Sequence, residues 1–180
     1  VNYGGNATAP TAPVVTGYTF SGWDKSYSNV TEDLIVTATY TINTYTVTFK
    51  NWNGDVLKTQ SVAYGSAATE PTVPARAGYT FTGWDADFGY VTGDIIATAT
   101  FSTNAYSVTF KDWNGDVLKS QNVAYGNSAT APATPTRTGY TFSGWDKSYS
   151  NVTEDLVVTA TYTINTYTVK FFDKDNNQIG

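Results

Sequence analysis

The side chains that most readily do chemistry are either missing from this chain or repeated within it. It has no His and no Cys, which excludes histidine-based triads, thiol nucleophiles and thiolate metal sites. Carboxylates remain. Asp24, Asp85 and Asp146 each follow a Trp, and Asp33, Asp94 and Asp155 each precede a β-like run. A glycosidase-like reaction needs two carboxylates flanking one cleft, whereas a turn Asp ordinarily accepts hydrogen bonds from nearby backbone amides. Three copies of one active site on such small units would be odd, so no enzyme is expected. Asp173-Lys-Asp175-Asn-Asn177 alternates oxygens like the start of a calcium loop. It lacks the Gly at the sixth place and the Glu at the twelfth, so a hairpin turn is expected there, with no metal and no cofactor. An isopeptide cross-link is not expected either, because no Lys sits at an apolar position in every copy.

Aromatic residues are the other candidates. Tyr, Trp and Phe make up 16% of the chain, which argues against disorder. Trp23, Trp84 and Trp145 recur between a Gly and an Asp, and are read as core residues rather than a sugar-stacking platform. Trp52 and Trp113 differ: they stand beside a turn, in phase with polar Thr48 and Lys50, and Lys174 takes their place in the last copy. A core position rarely accepts that exchange, so Trp52 and Trp113 are the expected exposed contact residues. The net charge is −5, with ten scattered cations. Without a basic patch, nucleic acid and anionic membrane surfaces are not expected partners.

These residues sit in a chain that repeats itself. GYTF begins at Gly17, Gly78 and Gly139, a step of 61 residues, and the prolines keep that step: Pro10 and Pro13, Pro71 and Pro74, Pro132 and Pro135. Such a period outranks length as a guide to organisation. Phased on the Tyr-Thr-Val-Thr-Phe run, residues 45–105 and 106–166 are complete copies. Residues 1–44 are the later part of a copy, and residues 167–180 are the first strand and turn of another.

Within a copy the pattern is β. Tyr45, Val47 and Phe49 alternate with Thr46, Thr48 and Lys50, the period of a half-buried strand. Asn53-Gly54 signals a hairpin, and a second strand is expected from Val56 to Tyr64. Two prolines three residues apart argue against a helix between Ser66 and Gly78, so an extended or single-turn connector is expected. A third strand, marked by Tyr79, Phe81 and Trp84, is interrupted by Gly83. A fourth, Ile95 to Phe101, points Ile95, Ala97, Ala99 and Phe101 inward. Leu34, Val36, Ala38 and Tyr40 are expected inward in the first copy. A unit of this size buries about 60% of its unfolded surface, so it relies on its aromatics and its neighbours.

The string YTVTF…NGD…VAYG…AATEP…P…GYTFTGWD…VTGD…ATATF resembles the Listeria–Bacteroides repeat, also called the internalin B-repeat, over essentially the whole chain. The resemblance implies a mainly β fold of the α+β family: tandem small β-grasp-like modules with the helix reduced or absent. It also implies a non-catalytic role in a bacterial cell-surface or secreted protein, where such copies often stand between a ligand-binding domain and the cell wall. It carries over no catalytic residues and no named partner.

Two roles follow as expectations. The first is a stalk and interaction segment of an adhesin-like protein; the second is a weak multivalent binder of carbohydrate or glycoprotein through repeated aromatics. The joins Thr41-Ile42-Asn43-Thr44 and Ser102-Thr103-Asn104-Ala105 contain neither Gly nor Pro, so an extended array is expected. The start VNYGGNATAP is not a signal peptide and the end FFDKDNNQIG is not an anchor, as in a fragment of a longer polypeptide. The strand 167–171 is expected to be able to add to residues 1–44 of a second molecule, giving head-to-tail self-association.

Overall fold

A computed structural model describes residues 1–179; Gly180, the last residue of the fourth segment, lies outside the described residues. No helix occurs among them. The chain divides into one unit of Val1–Arg76 with Phe81–Ser102, and another of Ala77–Thr80 with Thr103–Gly180.

The first unit holds β1 (Tyr18–Trp23) paired with β2 (Ala38–Ile42), and most of a four-stranded sheet. The strands of that sheet are β3 (Thr44–Lys50), β4 (Val56–Ala63), β5 (Tyr79–Trp84) and β6 (Ile95–Thr103), in the order β4-β3-β6-β5. Strands β3 and β4 form an antiparallel hairpin, while β3 and β6 run parallel, with Val47 opposite Ile95. A sheet whose first and last strands are parallel neighbours at its centre is the β-grasp arrangement.

The second unit repeats the plan with β7 (Ala105–Lys111), β8 (Val117–Ala124), β9 (Tyr140–Trp145) and β10 (Leu156–Ile164), in the order β8-β7-β10-β9. Here Leu156 stands opposite Val108 in the parallel pair. A short hairpin of β11 (Phe171–Phe172) and β12 (Gln178–Ile179) follows.

One face of each four-stranded sheet is apolar and must be covered. With no helix available, two irregular segments cover it. In the first unit Val47 and Phe49 are fully buried, and Ala68 from the connector, with Phe88 and Val91 from the β5–β6 loop, packs against them. Phe49 meets Trp84 and Phe88 edge-on, with centroids 4.8 and 4.9 Å apart. A connector packed over a core must place its own polar groups. Ala68 N–H donates to Phe88 O at 2.9 Å, and Thr69 O accepts from Lys58 Nζ at 2.6 Å and Gln60 Nε2 at 3.1 Å. Ala129 and Thr130 do the same in the second unit, the latter accepting from Lys119 and Gln121.

Three local readings change. The third strand runs through Gly83 without interruption, and in the equivalent β9 the register skips Ser143, so a bulge absorbs the break. At the hairpin Gly54 takes positive φ while Asn53 does not. Gly54 N–H donates to Asn51 O at 2.9 Å and Asn51 N–H to Asp55 O at 2.8 Å, so the turn is longer than a two-residue loop. In the first copy Leu34 is exposed and the strand begins only at Ala38. The cause is a missing neighbour: residues 156–159 of β10 are strand because β7 pairs with them, and nothing among the described residues does so for 34–37.

Candidate contact surface and repeat joint

Five of the six carboxylates singled out by their recurrence, all but Asp33, hold strands together. Asp24 and Asp146 each accept a backbone N–H across the strand pair, from Thr37 and Thr159, both at 2.6 Å. Asp85 does the same for Thr98. Asp94 reaches 48 residues back to accept Thr46 N–H at 2.8 Å, and Asp155 accepts Ser107 N–H at 2.8 Å. Each of these two locks the module's opening strand beside its last, which is a structural use of a charged acceptor. Asp173 is drawn into its own turn, accepting Asp175 N–H at 2.9 Å and Asn177 N–H at 2.8 Å. Those hydrogen bonds, led by the Asn177 amide, hold its carboxyl below the usual range.

Trp84 and Trp145 pack against the two cores and are partly, not fully, buried. Trp84 keeps its indole N–H satisfied by donating to Glu70 Oε2 at 2.9 Å. Trp52 and Trp113 stand at the hairpin tips with 50% and 53% of their surface open. Each carries an arginine guanidinium on its ring: Arg76 lies 4.0 Å from Trp52, and Arg137 lies 4.0 Å from Trp113. Arg137 also lies 3.7 Å from the Tyr140 ring. Such stacking fixes an otherwise free indole and is worth about 0.5–1 kcal/mol at an exposed site.

The two sites differ underneath. In the second unit Tyr162 donates its hydroxyl to Asp112 Oδ1 at 2.6 Å. Burial, then that hydrogen bond and the nearby negative charge, push the phenol up to about 12, although Arg137 pulls it the other way. In the first unit the corresponding residues are Asn51, which is buried, and Phe101, which has no hydroxyl. Acid and phenol are thus present together or absent together. The arginines were missed in the sequence, although a signal existed. Arg76 and Arg137 each follow their Trp by the same interval, so the pairing recurs with the repeat.

A second recurrent feature lies where one copy meets the next. Within the first unit, Asn43 N–H donates to Gly17 O at 2.9 Å, and Tyr64 N–H donates to Asn43 O at 2.8 Å. The Asn43 side chain accepts Thr19 Oγ1–H at 2.6 Å. The Tyr64 ring rests directly on Gly17, where a Cβ would come within 2.0 Å of it. The second unit repeats this with Gly78, Asn104 and Tyr125: Asn104 N–H meets Gly78 O and Tyr125 N–H meets Asn104 O, both at 2.8 Å. Gly17 and Gly78 have φ of 80° and 76°, so glycine is required for its backbone as well as for the ring's approach. The join is therefore a clasp built from both copies rather than a loose linker.

The family model described as the Listeria-Bacteroides repeat domain matches residues 1–44, 45–104 and 106–171. A provisionally named membrane protein of Evansella cellulosilytica is 29% identical over 196 residues, covering 92% of this chain and 30% of that one. Internalin H of Listeria monocytogenes is 44% identical over 86 residues, covering 42% of this chain and 15% of its own length. The chain thus spans under a third of these relatives. Among solved structures, domains 3-4 of the Streptococcal High Identity Repeats in Tandem, from a cell surface protein, align over 67% of this chain and 98% of theirs. That alignment has 18% identity and a TM-score of 0.32.

Proposed function

Because this chain belongs to the Listeria–Bacteroides repeat domain family, a tandem-repeat family of bacterial surface proteins, we propose that it is a non-catalytic stalk and interaction segment of a bacterial cell-surface or secreted adhesin-like protein. The observation that carries this reading is the clasp at the joins. A spacer must resist bending where copies meet, and the Gly17–Asn43–Tyr64 contacts replace a free linker with hydrogen bonds and a seated ring. The recurrent carboxylates support the same reading, since Asp24, Asp85, Asp94, Asp146 and Asp155 are engaged in holding strands. Solution scattering tests it. A compact domain of this length has a radius of gyration near ~16 Å. The proposal requires a clearly larger value, and a value near that of the compact domain rejects it.

A second reading, contact with carbohydrate or glycoprotein through Trp52 and Trp113, is favoured by their exposure and recurrence. Against it, a guanidinium already occupies part of each ring. A glycan array probed with the whole chain and with the Trp52→Ala, Trp113→Ala double variant separates the two. A spacer gives no signal with either protein, and a binder loses its signal in the variant.

A further inference from the structure

The guanidinium of Arg137 is held in place but given no polar partner. Tyr140 N–H donates to Arg137 O at 3.0 Å, closing a turn through Gly139, whose φ is 80°. The guanidinium lies 3.7 Å from the Tyr140 ring and 4.0 Å from the Trp113 ring at the hairpin tip. The Tyr162 ring is 5.8 Å away. Arginine offers five N–H donors, yet no described residue accepts a hydrogen bond from this guanidinium or forms an ion pair with it. Asp112 turns its Oδ1 elsewhere, to the Tyr162 hydroxyl at 2.6 Å and to Trp113 N–H at 2.8 Å.

The first unit shows what holds such an arginine. Arg76 lies at the same 4.0 Å from Trp52, although Asn51 stands there in place of Asp112 and Phe101 in place of Tyr162. The aromatic contact therefore sets the guanidinium's place, and the acid is not needed for it. What the acid changes is the local charge. Asp112 and Asp116 flank Trp113 in the sequence, whereas Asp55 alone flanks Trp52.

A guanidinium seated between aromatic faces has given up much of its rotamer freedom before any ligand arrives, which lowers the cost of binding. Its planar fork matches a carboxylate, which it takes through two parallel N–H···O bonds. Trp113 keeps 53% of its surface open, and a rigid indole suits the apolar C–H face of a sugar ring. Charge narrows the ligand further. With a net charge of −5 and two acids at the tip, a dense polyanion is repelled. A single carboxylate in contact with the guanidinium gains more than it loses to acids that solvent and salt screen. The carboxylate of a peptide side chain would meet the fork but bring no ring to cover the indole.

We propose that Arg137 and Trp113 form a contact site for a sugar bearing one carboxylate, with the carboxylate on the guanidinium fork and the sugar ring on the open indole. This rests on the reading in which the hairpin-tip tryptophans contact glycans, and it names the class of sugar. The guanidinium on the ring is then the anchor of the site rather than an obstruction. Asp112 weakens the site without dismantling it.

Nuclear magnetic resonance of the whole chain tests this with three probes. They are the methyl glycoside of glucuronic acid, its uronamide, which keeps the ring and loses the charge, and the amide of N-acetylaspartic acid, which keeps the carboxylate and loses the ring. The Arg137 Nε–H and Trp113 indole N–H signals report this site alone. Both should shift saturably with the glucuronide, and the other two probes should bind about tenfold more weakly or worse. Arg137→Lys keeps the charge but not the fork, and should weaken the glucuronide by a similar factor at the Trp113 signal. The Asp112→Asn, Tyr162→Phe double variant reproduces the Asn51 and Phe101 pair of the first unit, and circular dichroism checks that both variants fold. By removing a neighbouring negative charge it should tighten the glucuronide severalfold and leave the uronamide unchanged. If the uronamide binds as tightly as the glucuronide and Trp113→Ala abolishes both, glycan contact stands and the acid-specific site is refuted. A match between the aspartic amide and the glucuronide overturns the assignment to a sugar, and an Arg137→Lys variant that binds like the wild type, or a double variant that binds no tighter, overturns the role given to the fork and its charge. If neither sugar shifts either signal the proposal falls, and the glycan array decides the broader reading on its own.

Discussion

Replacing Gly78 with Ala, and separately Gly139 with Ala, isolates the contribution of the clasp. Both glycines have similar positive φ, 76° and 80°, so an added Cβ costs about 1–2 kcal/mol of backbone strain in either place. They differ in their surroundings. At Gly78 the new Cβ would lie 2.1 to 2.5 Å from the Tyr125 ring, while at Gly139 none of the described residues comes within 4 Å. Tyr125 cannot move aside cheaply, because its ring also sits 6.4 Å from both Tyr79 and Tyr106. Displacing it exposes part of an aromatic surface of roughly 150–250 Å². At about 25 cal/mol per Å², losing half of that costs about 2–3 kcal/mol. Gly78→Ala should therefore exceed Gly139→Ala by about 2 kcal/mol, or roughly thirtyfold in an opening equilibrium. Amide exchange reads this locally. The Tyr125 and Asn104 amides, bonded to Asn104 O and Gly78 O, should exchange about thirtyfold faster in Gly78→Ala than in Gly139→Ala. Equal exchange in the two variants would show that the ring contributes nothing to the joint.

Trp145→Ala should cost about 3–5 kcal/mol, because it empties a site against Phe110 and Phe142. Trp113→Ala should cost about 1 kcal/mol or less; denaturant midpoints for the two compare them directly. The Tyr162 phenol keeps its proton in the folded state up to about 12, against about 10 unfolded. Its contribution is therefore complete below pH ~10 and falls away as pH rises from there toward 12. Subtracting the phenolate absorbance of Tyr162→Phe from that of the wild type should leave one group titrating near 12, and a group near 10 would contradict the hydrogen-bonded assignment. Asp155→Ala should lower the second unit's stability by about 1 kcal/mol and speed exchange of the Ser107 amide; an unchanged Ser107 amide would deny the lock.

The alternation of Tyr45, Val47 and Phe49, the paired prolines and the 61-residue step were enough to read strands, connector and repeat. Each depends on local sequence. The loss of strand at residues 34–37 could not be read that way, since those residues match 156–159 except that Ile35 replaces Val157. Their pairing depends on a neighbour distant in sequence. The exposure of Trp52 and Trp113 followed from polar phase and from the exchange with Lys174. The arginines above them leave no periodic trace in one strand, and only their recurrence at the repeat step marks them. Tyr64 and Tyr125 read as ordinary strand-end aromatics, and only the backbone path reveals that each rests on a glycine of the preceding copy.

The parallel pairing of β3 with β6 has a mechanical consequence. A pull applied to the chain on either side of this module enters through the start of β3 and leaves through the end of β6. In a parallel pair those points lie at opposite ends of the ladder, so the force runs along the strands. The load falls in shear on the hydrogen bonds between Val47–Lys50 and Ile95–Thr98, and on the Asp94–Thr46 bond, which must yield together. A hairpin pulled at its open end gives up its bonds one by one. The module therefore resists tension more strongly than its modest core implies, and the bonds that set its breaking force lie at its centre.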